Sequence, residues 1–241
     1  MKKFLIVLLL SAGIAGTGQA QSLLNNLKKK VTGSSSGSSL SSDDIVNGLK
    51  QALTLGAQKS ADKLSAADGF FKDAVVKILL PPQAQNAEKT LRNLGMGQLV
   101  DNAILSMNRA AEDASKSAAP IFVNAIKGMS VQDGLGILRG ADTAATGYLR
   151  KSTSPQLTTA FHPVIDSSLQ KTGATKYWKD VFETYNKLPT TFKKVNPDLS
   201  AYVTQKAMDG IFYYVAQEEK QIRKDPAAQV TDLLKKVFGG N

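Results

Sequence analysis

Apolar residues recur every three or four positions along most of this chain, and strict two-residue alternation is nearly absent. That periodicity predicts helices rather than strands. The first helix starts near Ser42, which stands as N-cap before Asp43 and Asp44, and Ile45, Val46, Leu49, Ala52, Leu53 and Gly56 carry its apolar face toward about Asp62. A helix over Gln83–Leu94 is stopped by Gly95 and Gly97. The longest stripe follows: Leu99, Ala103, Ile104, Met107, Ala111, Ala114, Ala118, Phe122, Ala125 and Ile126 run from Gly97 toward Gly128, kinked or broken at Pro120. Its alanines imply close approach of another helix. Ser130 with Asp133 forms a partial capping box for a short helix ending near Gly140.

Three further helix starts carry a capping residue followed by proline: Ser154–Pro155, Asn196–Pro197 and Asp225–Pro226. They predict helices over 155–170, 197–224 and 226–238, with one more over 174–187. In the helix from 197, Leu199, Val203, Ala207, Ile211, Tyr214, Val215 and Ile222 form the inward stripe, and Val230, Leu233, Leu234, Val237 and Phe238 do so in the last. Residues 65–82 resist assignment. Ser65 suits the start of a short helix through Phe71, Val75–Leu80 fits an extended buried segment or a helical turn, and Pro81–Pro82 end either. The fold class is all-α, a single compact multi-helix domain over 42–241.

The first 41 residues have a different character. Lys2 and Lys3, the apolar run Phe4–Leu10, and small residues at Gly18 and Ala20 predict a secretory signal peptide over 1–20, cleaved after Ala20. Residues 21–41 hold a short basic amphipathic segment, with Leu23, Leu24, Leu27 and Val31 on one side beside Lys28–Lys30, and then a Ser/Gly linker. The basic segment reads as a loose terminus or as a peripheral contact with an anionic membrane.

Charge and composition narrow the chemistry. Loss of Lys2 and Lys3 with the leader lowers the formal charge from +10 to +8, a surface suited to anionic partners. A location outside the cytoplasm argues against nucleic acid. Cysteine is absent, which removes disulfides and thiolate chemistry. His162 is the sole histidine, so neither a His-based zinc site nor a Glu-x-x-His di-iron site is available. No G-x-S-x-G elbow accompanies it. "GADTAATG" lacks the Gly-Lys-Ser/Thr ending of a phosphate loop. The sequence predicts no metal and no cofactor.

Two sets of polar residues remain as candidates. Glu112, Asp209 and Glu219 lie on long helices, where converging carboxyls would suit acid–base hydrolysis of a glycan or ester. The blander reading is an ion-pair network in which Arg109 and Glu112 meet Asp209 or Glu219. The stretch "ILRGADTAATGYLR", Ile137–Arg150, reads first as a polar joint between helices, with Asp142 capping the second. Its alternative is an anion pocket lined by Arg139 and Arg150. Asn108, Arg109, Glu112, Arg139, Asp142, Arg150 and Asp209 are the ligand-binding candidates. The run "EEKQIRKDP", with Glu219 and Arg223 four apart, reads as a solvated helix face. Tyr177, Trp178, Tyr185, Tyr213 and Tyr214 frame an apolar pocket or serve as ordinary core aromatics.

The blocks "EKTLRNLGMGQLVDNAILSMNRAAEDA", "ILRGADTAATGYLR", "YNKLPT" and "VTQKAMDGIFYYVAQEEKQIRKDPAAQVTDLLKKVFG" resemble the DUF4197 family of bacterial secreted or periplasmic domains over about Asp44–Gly239. The residues typical of that pattern include Asn108, Arg109, Glu112, Arg139, Asp142, Arg150, Asp209, Glu218, Glu219, Arg223 and Lys224. The resemblance implies an extracytoplasmic helical domain of a Gram-negative-type bacterium and brings no reaction with it. The resulting expectation is a non-enzymatic periplasmic or envelope-associated protein that binds a small amphipathic or anionic ligand. A carboxylate-based hydrolase and a scaffolding domain are the alternatives.

The alanine stripe carries a prediction. Ala111→Leu or Ala118→Leu overpacks a helix interface at a cost of about 1–3 kcal/mol, measured as a lowered Cm in urea; an unchanged midpoint would place the buried face elsewhere.

Overall fold

The computed structural model describes residues 41–176, 178–179, 194 and 198–224. Its described residues hold seven bounded α-helices and one short 3-10 turn, with further helical residues at 174–176 and 178–179 and no strand. The helices are α1 (Ser42–Ser65), α2 (Gln85–Asn93), α3 (Gly97–Ser115), α4 (Ala118–Lys127), α5 (Val131–Arg139), α6 (Ala144–Lys171) and α7 (Leu199–Lys224). The core lies where α7 packs on α1, α3 and α6, and where α4 closes against α1 and α6. Phe122 of α4 meets Phe212 of α7 edge to face, with ring centroids 5.7 Å apart. Val203, Ala207, Ile211 and Val215 are buried along α7, so the inward stripe read from the sequence is the one that packs. Ala110, Ala111 and Ala114 of α3 are sealed from solvent, as close helix approach requires. The segments expected at 1–20, 21–40, most of 174–187 and 226–238 lie outside the described residues.

Local signals set most helix ends. Ser41, not Ser42, caps α1: its hydroxyl accepts the Asp44 amide while the Asp44 carboxylate returns to the Ser41 amide, and that box needs a three-residue spacing. Ser130 and Asp133 close a complete box on α5. The long stripe breaks at Lys116–Ser117, ahead of Pro120. Pro120 falls in the first turn of α4, where the missing N–H has no helical acceptor to lose.

Pro155 is different. The sequence predicts a helix start there, yet α6 runs unbroken through both Pro155 and Pro163. Each internal proline costs about 3 kcal/mol. Against this, Leu149, Leu157, Phe161, Ile165 and Leu169 are fully buried on one side of α6. At about 1.5–3 kcal/mol for each such side chain, burial outweighs both prolines. Tertiary packing overrides the local signal.

Residues 66–81 form neither the short helix from Ser65 nor a strand. They run along α3 and α7 as an irregular loop that buries Phe70 and Ile78. Asp68 sits at φ 68°, an unusual conformation for a residue with a side chain. Phe70 fits because position 210 on α7 is glycine: a Cβ there would come within 2.6 Å of the ring. Gly147, on the exposed side of α6, has nothing near its missing Cβ.

These two glycines should therefore respond oppositely. Gly210→Ala is expected to destabilise by about 1–3 kcal/mol through overpacking, and Gly147→Ala to stabilise by about 0.5–1 kcal/mol through helix propensity. Thermal unfolding of the two variants side by side checks both signs.

Candidate functional site

The loop 66–81 exposes the first role of the polar candidates. An irregular segment carries amides and carbonyls that no helix satisfies, and burying them unpaired is costly. Asn108 and Glu112, four apart on α3, point their side chains at it. Asn108 Oδ1 accepts the Ile78 amide at 2.8 Å, and its Nδ2 donates to the Ile78 carbonyl at 2.8 Å and the Ile104 carbonyl at 2.7 Å. It thus pairs both backbone groups of Ile78 as a neighbouring strand would. Glu112 Oε1 accepts the amides of Phe70 and Phe71, both at 3.1 Å. Its other oxygen takes Arg109 at 2.6 Å, and Arg109 reaches on to Asp68 at 2.6 Å. Hydrogen bonds from Lys72 and Arg109 hold the Asp68 carboxyl below its ordinary pKa.

Three more groups fasten the same loop. Asp73 accepts the Val75 and Val76 amides and the Tyr214 hydroxyl, with Lys63 at 3.7 Å. Burial works to raise the Asp73 pKa, but these hydrogen bonds and the lysine charge leave it lowered. The Tyr202 hydroxyl donates to the Leu79 carbonyl, and burial pushes the Tyr202 pKa up to about 12.

Glu219 does comparable work at the other end of α7. It is 3% exposed, not part of a solvated face. Its carboxylate accepts the Ala145 amide at 3.0 Å and the Thr146 amide and hydroxyl at 2.8 Å each, all in the first turn of α6. Arg223 donates to Glu219 at 2.9 Å and to the Ile137 carbonyl at the end of α5 at 3.0 Å. The stretch Ile137–Arg150 is therefore a joint. Its cap comes from across the interface: Asp142 is exposed, Thr143 stands at the N-cap without a side-chain bond, and the anion favoured by the helix dipole is supplied by α7.

The remaining candidates are superficial. Arg139 is exposed. Asp209 is also exposed, bonded to Gln205 at 3.1 Å, with Arg150 3.9 Å away. Arg150 lies over the Phe212 ring at 4.3 Å. Arg109 and Glu112 pair as the network reading has it, with Asp68 as third member in place of Asp209 or Glu219. Among the described residues no hydrogen bond or ion pair joins any two of Glu112, Asp209 and Glu219. No group of acidic or histidine side chains there suits a metal ion.

A cavity lies elsewhere, between α2, the first half of α3 and the start of α7. Its volume is about 300 Å³, at the small end of ligand pockets. Ala84, Leu99, Val100, Met107, Trp178 and Leu199 make most of the wall, and Glu88, Asn102, Ser106 and Thr172 supply its few polar groups. Glu88 is occupied by Arg92, which also holds Asp101. Trp178 is buried and stacks on Tyr202 at 6.5 Å between centroids. Of the aromatic residues singled out in the sequence, Trp178 lines this cavity and Tyr214 binds Asp73, while Tyr177 and Tyr185 lie outside the described residues. Leu99 and Ala103, read as core, face the groove instead. The loss of full burial at Leu99 carries no trace in the helical period, because the period marks the inward side and says nothing of a gap opposite it.

A family model described as "Protein of unknown function (DUF4197)" matches residues 39–239. No curated protein and no solved structure matches the chain.

The reassigned helix cap is testable. Glu219→Ala leaves the α6 amides and Arg223 without their acceptor, and is expected to cost about 3 kcal/mol or more. Asp142→Ala, which a local cap would make costly, should stay within about 0.5 kcal/mol of the parent. Urea denaturation of both variants separates the two caps.

Proposed function

We propose that this chain, which belongs to the DUF4197 family, is a non-enzymatic binding protein that takes the apolar part of a small amphipathic molecule into the groove between α2, α3 and α7. The observation that carries this reading is the groove itself, walled by aliphatic side chains and one indole, with an amide and hydroxyls for a polar head. The state of the carboxylates favours binding over hydrolysis: Glu112 and Glu219 are buried and engaged by backbone amides and arginines of the fold. DUF4197 is a bacterial domain. We place this one outside the cytoplasm, in the periplasm of a Gram-negative-type cell, on the leader pattern of residues 1–20. Among the described residues no helix is long and apolar enough to cross a membrane. The positive charge of the chain suits an anionic head on the ligand.

The single tryptophan of the chain is Trp178, so intrinsic indole fluorescence reports on the groove directly. Titration with a fatty acid or lysophospholipid, kept below its aggregation concentration, should give a saturable shift to shorter wavelength. Ala103→Phe, which fills the groove from α3, should weaken that response at least about tenfold, equivalent to about 1.4 kcal/mol, with little change in Tm. A spectrum indifferent to every such amphiphile, or an undiminished response in the filled variant, would end this reading.

A further inference from the structure

Large aliphatic side chains in water are ordinary when scattered and informative when gathered. Among the described residues the large hydrophobics left exposed are Val75, Leu79, Leu94, Met96, Leu99 and Val131. Val75 and Leu79 line a depression that shares Leu80 with the groove, while Leu94 and Met96 sit in the turn that leads into α3 and Leu99 in its first turn. Leu80 and Leu99 line the groove itself. Leu94 is 69% exposed, Val75 62% and Leu79 55%. These are not slack residues. The loop is fastened from inside by Asn108, Asp73 and Tyr202, so Val75 and Leu79 project from a braced backbone.

The charges beside Val75 and Leu79 are mostly basic, two lysines to the one carboxylate of Asp209. Lys77 and Lys206 line a second depression with Val75, Leu79 and Asp209. The acids nearby are turned to other uses. Asp73 faces inward to Tyr214 and two amides, Asp68 is held by Lys72 and Arg109, and Asp209 has Arg150 at 3.9 Å. Aliphatic tips set among lysines, with the rings of Tyr202 and Tyr213 in the same depression, match the boundary between acyl chains and anionic headgroups.

We infer that this face docks on an anionic phospholipid bilayer, with Val75, Leu79, Leu94, Met96 and Leu99 entering the acyl boundary and Lys77 and Lys206 on the phosphates. The docking goes beyond ligand binding and stands whether or not the groove is filled. It also sets the groove mouth against the membrane, from which an apolar chain would enter.

The absence of cysteine makes a clean test possible. Leu79→Cys, Met96→Cys and Val131→Cys, each in the exported chain, accept a single environment-sensitive fluorophore such as NBD. Vesicles of phosphatidylglycerol and phosphatidylcholine should shift the emission to the blue at positions 79 and 96 and leave position 131 unchanged. Vesicles of phosphatidylcholine alone should do little. Lys77→Gln combined with Lys206→Gln should lower partitioning about 25-fold, taking about fivefold for each lysine, with the circular dichroism spectrum intact. No association with the anionic vesicles overturns the inference. So does flotation with vesicles while positions 79 and 96 remain in water, which would mean attachment by another segment. An equal shift at all three positions overturns it too. Trp178 titration with free amphiphile, done without vesicles, keeps the fate of the groove separate from the fate of this face.

Discussion

Buried backbone amides must find acceptors, and in this protein two of the largest debts fall outside the helices' own ladders. One is the irregular loop 66–81; the other is the start of α6. Both are met by side chains from other helices. Asn108 and Glu112 of α3 take up the loop, and Glu219 of α7 takes up α6. Because each acceptor sits on a different helix from the amides it serves, these bonds join elements as well as satisfying them. Arg109 and Arg223 then balance the buried carboxylates, as buried charge requires.

This arrangement bears directly on function. Asn108, Arg109, Glu112 and Glu219, the polar candidates on the inner sides of α3 and α7, are engaged in holding the fold, while Arg139, Asp142, Arg150 and Asp209 lie at the surface. Elsewhere the structure leaves an apolar groove of about 300 Å³ and exposed aliphatic side chains, two of them beside lysines. The loop that these bonds brace is also the one that leaves Val75 and Leu79 exposed.

Much of this was legible in the chain. The stripe through Val203, Ala207, Ile211, Val215 and Ile222 passes over position 219, so the inward direction of Glu219 follows from the same spacing that orients its apolar neighbours. Asn108 and Glu112 stand likewise beside Ile104, Met107 and Ala111 on the buried side of α3. Reading Glu219 and Arg223 as a solvated pair weighed their charge above their position. The identity of their partners was not legible, because period fixes a direction from the helix axis and not what lies across it.

The sequence by itself determined that the described chain is helical, that Ser130 and Asp133 begin α5, the start of α1 to within one residue, and the inward stripe of α7, since these depend on hydrogen bonds and spacings within a few residues. Tertiary structure alone decided the rest. It carried α6 through two prolines because burial of one whole side outweighed their local cost. It moved the cap of α6 from Asp142 to a carboxylate 74 residues from Ala145, and it left a groove where α2, α3 and α7 fail to close. Each of these outcomes rests on contacts between residues far apart in the chain, whose free energy no local pattern contains.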